Sequence, residues 1–336
     1  MIRFEGSIPC QAKTLALKYR ILLAFCIGCI SGFACYLRLE NWQKQAADFT
    51  FTWRAGQYIL SGENPYQKIL PQGEYPFQTF FYYPLTAAIA SIPFTFFPPT
   101  AAGAVFFGLS SFLLAFALSA MGWKNFPIFL SAPFVVAAAT AQWSPIILAA
   151  ALLPPLAFLL TCKPNLGLAV FLYKPTWIGL GSILIFIGFS IVLFPTWPAD
   201  WLRTTQTLAG HPPPAMVLPA GPLLLLGAVA WRKPEGRMFL GLSLFPQLLF
   251  FYDQLPLWLI PRSFSSSLYF SGLSWLAYFT WRLRSVDSVT GEVITQPTQY
   301  IMLLLFMPAL GMLLWQEKET LVAWKKKMIN NFSRSA

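Results

Sequence analysis

Asp48, Lys163, Arg203 and Asp253 are ionisable residues set beside apolar stretches of a 336-residue chain in which only 10% of residues are charged. A carboxylate held at the edge of an apolar phase is partly desolvated, which raises its basicity and suits it to taking a proton. Asp48 opens the run Asp48–Tyr66 (DFTFTWRAGQYILSGENPY), whose aromatic and polar stripe fits an amphipathic helix lying at a membrane surface. The competing reading is that Asp48 only caps that helix, since Asp is a favoured N-cap. Lys163 is the first candidate for holding a phosphate, because a lysine near a membrane face is costly and is usually paired with an anion. Against this stands a lysine that merely reaches out to lipid headgroups. Arg54, Arg203 and Arg262 are lesser candidates, since a guanidinium fork binds phosphate oxygens in pairs. Asp253 follows the aromatic pair Phe251-Tyr252 and either orients a substrate hydroxyl, pairs with a cation or is a plain loop carboxylate. His211 precedes three prolines and is either a surface residue or a pH-sensitive contact. With one histidine in the whole chain, a His-based metal site is not expected, and neither is a cofactor.

These groups must be positioned by membrane helices. Hydrophobic residues make up 57% of the sequence and mean hydropathy is +0.59, whereas a soluble domain carries about a quarter charged residues. The net charge of +11 does not indicate nucleic acid, because the basic residues fall at span ends: Arg3, Lys13, Lys18 and Arg20, then Arg232, Lys233 and Arg237, then Lys325–Lys327 and Arg334. That is the positive-inside pattern, with attraction to anionic lipid as a side effect. The 28 prolines predict helices broken around a polar cavity, where protein or water satisfies the freed backbone. Trp53, Tyr58, Tyr66, Tyr82, Tyr83 and Tyr252 offer faces on which a sugar can stack, although aromatics in such a chain mostly serve interfacial belts and packing. Cys26 and Cys29 share one face of an apolar span and behave as small hydrophobes, not as a redox or zinc pair.

In order along the chain, residues 1–20 form a cytoplasmic basic arm, 21–316 a single transmembrane domain, and 317–336 a basic tail. The first span, Ile21–Leu37, reads as an uncleaved signal-anchor, with Gly32-Phe33-Ala34 the alternative cleavage site. It places a first extracytoplasmic loop over 38–80, with a turn at Gln72–Pro76. Residues 80–97 are expected to return to the cytoplasm, 101–121 to come out, and 126–141 and 144–161 to form a further pair that puts Lys163 at the outer face. Residues 165–173 are too short to cross at roughly 20 residues per span, so they form a half-helix or an extension through the proline. The favoured path beyond residue 238 re-enters at 254–261, which puts Arg262 and the lysine tail inside. The total is about 11–12 spans by the span-length rule, in a plasma (inner) membrane with the N-terminus cytoplasmic.

The pattern D-F-x(4)-R-A-x(4)-L-x-G-x-N-P-Y after the first span resembles that of glycosyltransferase family 87, whose members include polyprenyl-phosphate-mannose-dependent α-mannosyltransferases. Phe81–Leu85 (FYYPL) resembles the element that opens the family's second span, without its second proline. Cys162–Leu168 (CKPNLGL) resembles K-P-Q-L-G-L, and Tyr252-Asp253 resembles the Y-D of a later span. Two departures stand out: Ala141 replaces the Gly of a G-Q element at Gln142, and Gln247 follows Pro246 where relatives often carry His. The resemblance implies an all-α polytopic GT-C fold with its active site on the extracytoplasmic face. It also implies inverting transfer of a sugar, mannose by this likeness, from a polyprenyl phosphate to a lipid or glycan acceptor. Asp48 is then the general base. Lys163, Arg203 and Arg54 hold the donor phosphate, and Asp253, Tyr252, Trp53, Tyr66, Tyr83 and His211 contact sugar or acceptor. A lipid-linked glycan flippase would also need many spans and a polar cavity, and a non-catalytic scaffold is the third reading. A flippase should carry charges midway through several spans, whereas a third of the twelve acidic residues fall in the first outer loop.

Overall fold

The computed structural model describes residues 16–41, 46–71, 79–207, 211–285 and 295–318. The first fifteen residues of the basic arm, the Gln72–Pro76 turn and the tail from 319 onward lie outside the described residues. Among the described residues every regular element is helical. The long helices are α1 (Leu17–Glu40), α5 (Pro99–Ser119), α12 (Phe264–Ser285) and α13 (Thr298–Gln316, with a π-helical stretch over Met302–Phe306). Between them lie shorter pieces: α2 (Phe49–Leu60), α3 (Pro65–Lys68), α4 (Leu85–Ser91), α6 (Ala132–Ala139), α7 (Ser144–Leu152), α8 (Pro164–Phe171), α9 (Trp177–Leu193), α10 (Trp197–Thr205) and α11 (Pro234–Leu244).

Prolines account for the fragmentation. A proline removes a backbone donor and crowds the preceding turn. Pro at the first or second position starts α3, α5, α6, α7, α8, α10 and α11. Among the described residues three helices are long and apolar enough to cross a membrane, or up to five if the bent pairs α6/α7 (119°) and α9/α10 (99°) each count as one span. That is fewer than the eleven to twelve spans expected from hydropathy. Many apolar stretches are instead short helices and 3₁₀ segments such as Pro154–Cys162, Gly221–Ala230 and Phe251–Leu259.

α1 and α5 lie antiparallel in close contact. A Cβ on Gly28 would meet the Gly108 carbonyl at 2.9 Å, so glycine is what lets the two backbones approach. Arg20, near the start of α1, donates to Ser119 Oγ and to the Phe116 carbonyl at the end of α5, both at 3.0 Å. Leu39, at the other end of α1, meets Gly103 near the start of α5. This corrects the expected path. α4 is seven residues long and continues only into a three-residue 3₁₀ turn, about 15 Å in all. It does not carry the chain across before α5 begins.

A second correction concerns residues 144–161, expected to be one span. The chain reverses at Leu153-Pro154-Pro155, and α7 packs back on the 3₁₀ segment Pro154–Cys162. Both ends of this hairpin therefore lie at one level, with Ser144 and Lys163 on the same oxygen of Asp253. The 126–141 and 144–161 pair cannot place Gln142 and Lys163 on opposite faces.

At the opposite end of the molecule the basic loop is tied down. Lys233 pairs with Glu317, Gln316 donates to the Ile260 carbonyl at 3.0 Å, and Arg237 donates to the Leu172 carbonyl at 3.0 Å. Arg262 and the end of α13 thus share the end that carries Arg232, Lys233 and Arg237, as the favoured path requires. The core between the two ends is aromatic, with Phe49 stacked on Phe106 at 4.1 Å and Trp143 tilted against Phe106 at 4.8 Å.

Candidate functional site

The site begins with two alanines. Ala47 (φ +46°) and Ala141 (φ +47°) both occupy the left-handed region that residues with a Cβ rarely enter. Each turns the chain just before a polar residue, Asp48 and Gln142. The two turns are joined by Asp48 N–H donating to the Thr140 carbonyl at 3.3 Å and by Gln142 Nε2 donating to Asp48 Oδ2. Ala141 stands where the G-Q element has Gly, and its backbone adopts the conformation that glycine favours. Strain of this kind persists where surrounding structure holds it, and it concentrates at functional sites.

Asp48 sits at the N-cap position of α2, but its side chain accepts no capping hydrogen bond. The capping reading is therefore not what holds this carboxylate. Gln142 occupies Oδ2, and among the described residues Oδ1 accepts no hydrogen bond. The residue is half-buried. Desolvation is the largest influence on it and pushes its pKa up from 3.8 to about 6. The Lys163 ammonium and the Gln142 amide oppose that rise, and the Asp253 carboxylate adds to it.

Lys163 and Asp253 form the second unit. Lys163 links the 3₁₀ segment Pro154–Cys162 to α8 in an extended conformation (φ −142°, ψ 75°), since Pro164 begins the helix behind it. Its ammonium donates to Asp253 Oδ1 at 2.6 Å and lies 4.9 Å from the centre of the Tyr252 ring. Ser144 Oγ donates to the same oxygen at 2.8 Å. Asp253 is 1% exposed, so it is no loop carboxylate. The lysine is bound to it and does not extend to headgroups. Tyr83 is half-buried beside these acids; desolvation, then the charges of Asp48 and Asp253, raise its pKa well above the usual phenol range, and it remains a neutral donor.

Lys163, Asp253, Tyr252 and Tyr83 open onto a cavity of about 670 Å³, also bounded by Tyr82, Trp201, Thr205, His211, Asn165 and Gln247. An apolar groove of about 280 Å³ adjoins it, sharing Pro84, Pro164, Leu168 and Trp201, and runs on between Leu180, Ile183 and Ile187 of α9 and Phe171 of α8. Asp48 is not among the residues that bound the cavity. It is coupled electrostatically to Lys163, Asp253, Tyr83 and Tyr252, which are.

Six of the expected residues are thus gathered: Asp48, Lys163, Asp253, Tyr252, Tyr83 and His211. The others are not. Arg203 points to solvent with its side chain 79% exposed, 3.8 Å from Asp200. Arg54 donates to Gln57 at 2.8 Å and lies over the Tyr58 ring, away from the cavity lining. Trp53 is buried and donates to the Phe94 carbonyl at 3.2 Å. Tyr66 is buried and donates to the Tyr83 carbonyl at 2.9 Å, which fixes the backbone of a lining residue without lining the cavity itself. Arg262 lies at the basic end. The amphipathic pattern of α2 puts Trp53 on the face packed against the core, and a helical register does not say which neighbour that face meets.

Gln142 and Ser144 join the candidate site through Asp48 and Asp253, and the sequence reading singled out neither as a site residue. The signal was present: Gln142-Trp143-Ser144 is a polar break between two apolar stretches, and both polar side chains are buried. Gln247 lines the cavity and donates to the Leu242 carbonyl at 2.5 Å. Among the described residues no three His, Cys, Asp or Glu side chains cluster closely enough to hold a metal ion. In comparisons with protein families, characterised proteins and solved structures, the chain matches none.

Proposed function

We propose that the chain is an integral-membrane glycosyltransferase of GT-C type that moves a sugar from a polyprenyl phosphate to an alcohol on a lipid or glycan. The observation that carries this reading is an uncapped Asp48 carboxylate coupled electrostatically to a Lys163–Asp253 pair, which opens onto a polar cavity that continues into an apolar groove. The groove suits a prenyl chain, the cavity a phosphate and a sugar. Mannose and the extracytoplasmic face follow from the resemblance of Asp48–Tyr66 to family 87.

In this reading Asp48 Oδ1 takes the proton of the acceptor hydroxyl, with Gln142 holding Oδ2 and fixing the carboxylate plane. The acceptor oxygen attacks the anomeric carbon from the face opposite the phosphate. The bond from that carbon to the phosphate oxygen breaks, its electron pair leaves with the polyprenyl phosphate, and the configuration inverts. One carboxylate suffices because no covalent intermediate forms. Lys163 has three N–H donors, one of which is hydrogen-bonded to Asp253 Oδ1, so the other two can meet the departing phosphate. Tyr82 and Trp201 supply an aromatic wall for the sugar.

The test uses the purified protein in proteoliposomes with a polyprenyl phosphate carrying radiolabelled mannose and a short-chain alkyl mannoside as acceptor. Label should pass to the acceptor as polyprenyl phosphate appears, and Asp48→Asn should stop both. Movement of intact lipid-linked sugar between leaflets without bond cleavage would instead identify a flippase.

A further inference from the structure

A second cavity, of about 690 Å³, lies at the basic end and shares no lining residue with the first. Arg262 and Lys318 face it from the start of α12 and the end of α13, with Ser266, Met312 and Trp315 between them. Among the described residues no acid lines it. Of the two acids that flank Lys318 in sequence, Glu317 is buried and paired with Lys233, and Glu319 lies outside the described residues. Among the described residues neither Arg262 nor Lys318 is ion-paired, and both are exposed. Two like charges directed at one recess repel each other, and an anion between them removes that cost.

The rest of the recess indicates which anion. Trp315 is 73% exposed and its ring lies 4.9 Å from the Lys318 ammonium, the arrangement of a tryptophan at a membrane–water boundary. Below it, Met312 continues onto an apolar helix surface of the kind that acyl chains cover. A soluble anion has no use for that surface, whereas a phospholipid uses both parts. Basic recesses between membrane helices are suited to phosphate-bearing headgroups. We propose that this cavity binds the phosphate of an anionic phospholipid, held by Arg262 and Lys318, and that the bound lipid anchors α12 and α13 to each other at the basic end. This does not depend on the glycosyltransferase reading.

The experiment titrates the purified full-length protein, in micelles of an uncharged detergent, with phosphatidylglycerol, with phosphatidylcholine and with inorganic phosphate, and reads the thermal unfolding midpoint. Phosphatidylglycerol should raise the midpoint and phosphatidylcholine should not. Arg262→Gln/Lys318→Gln should raise the lipid concentration for half the effect about 30-fold, and Lys318→Gln alone about 5-fold, from the usual strength of one basic residue at an anionic surface. The single variant carries the test if the double variant does not fold. An unchanged response to phosphatidylglycerol in the variants, or an equal response to phosphatidylcholine, overturns the proposal. If inorganic phosphate alone gives the whole shift, the ligand is free phosphate and the lipid assignment fails.

Discussion

Lys163 and Lys318 each hold an ammonium 4.9 Å from the centre of an aromatic ring, Tyr252 for one and Trp315 for the other, yet they sit in opposite kinds of place. Lys163 is half-buried, bound to a carboxylate that is itself 2% exposed at the side chain, and shares that carboxylate with Ser144. Lys318 is exposed, and among the described residues it has no ion pair, Glu317 beside it being committed to Lys233. At the first end the polar groups are few, desolvated and fixed to one another: Asp48, Gln142, Ser144, Lys163 and Asp253. At the second end cations predominate and water reaches most of them. The contrast teaches that burial, not residue type, decides what a lysine does here. In the interior a charge persists only with a partner, and removing the partner is costly. At the surface the same charge is screened and contributes little to stability, but it stays available to an incoming anion.

If that contrast holds, variants at the buried end should have large effects and variants at exposed cations small ones. The largest expected effect is on catalysis: Asp48→Asn should lower sugar transfer by about 10²- to 10⁴-fold, the usual contribution of a general base, with an unchanged circular-dichroism spectrum. Turnover within a few-fold of the parent would remove Asp48 as base.

Lys163→Met should come next. It strands the Asp253 carboxylate in the interior and should cost about 3–5 kcal/mol of stability. Lys163→Met/Asp253→Asn should recover part of that loss, as read by denaturation in detergent. If the double variant is no more stable than the single, the pair is not the buried unit described here.

The pH dependence follows from Asp48. Its folded pKa lies above its unfolded one, at about 6 against 3.8, so the native state binds the extra proton in that window. Ionising Asp48 therefore weakens the fold as pH rises from about 4 to 6 and changes nothing further above that. Activity runs the other way, climbing through pH 6 as the base ionises. A pH–rate profile with no limb near 6 would contradict the assignment.

A smaller effect of opposite sign is expected at the turns. Ala141→Gly should relieve a left-handed alanine and raise stability by about 0.5–1 kcal/mol, the steric gain less the added chain entropy. The smallest is at Arg203: Arg203→Ala should leave donor KM within about twofold, because that side chain meets solvent and not the cavity. A tenfold rise in KM would return it to the phosphate site.

Part of the candidate site was legible in the chain. The DFTFTWRAGQYILSGENPY run drew attention to Asp48, and the cost of a charge beside apolar residues did so for Lys163 and Asp253. Span number and direction were not legible. Hydropathy does not distinguish a stretch that crosses from one that reverses at Leu153-Pro154-Pro155, because both are equally apolar. Nor does it register that Arg20 meets Ser119, a contact between residues 99 positions apart. Trp53 and Tyr66 illustrate the same limit from the other side. Their types suit a sugar face, but the core took both.

By itself the sequence determined that this is a helical chain built for an apolar phase, with its basic residues grouped at particular turns and a small set of ionisable groups that an apolar phase makes expensive. Those properties are local: they follow from transfer free energies and backbone propensities summed along the chain. The tertiary structure alone decided that Gln142, not the helix it precedes, would hold Asp48, that Ser144 and Lys163 would meet on one oxygen of Asp253, and that Arg54 and Arg203 would stay away. Those outcomes depend on which apolar faces close against each other, and that is settled by packing between segments many residues apart.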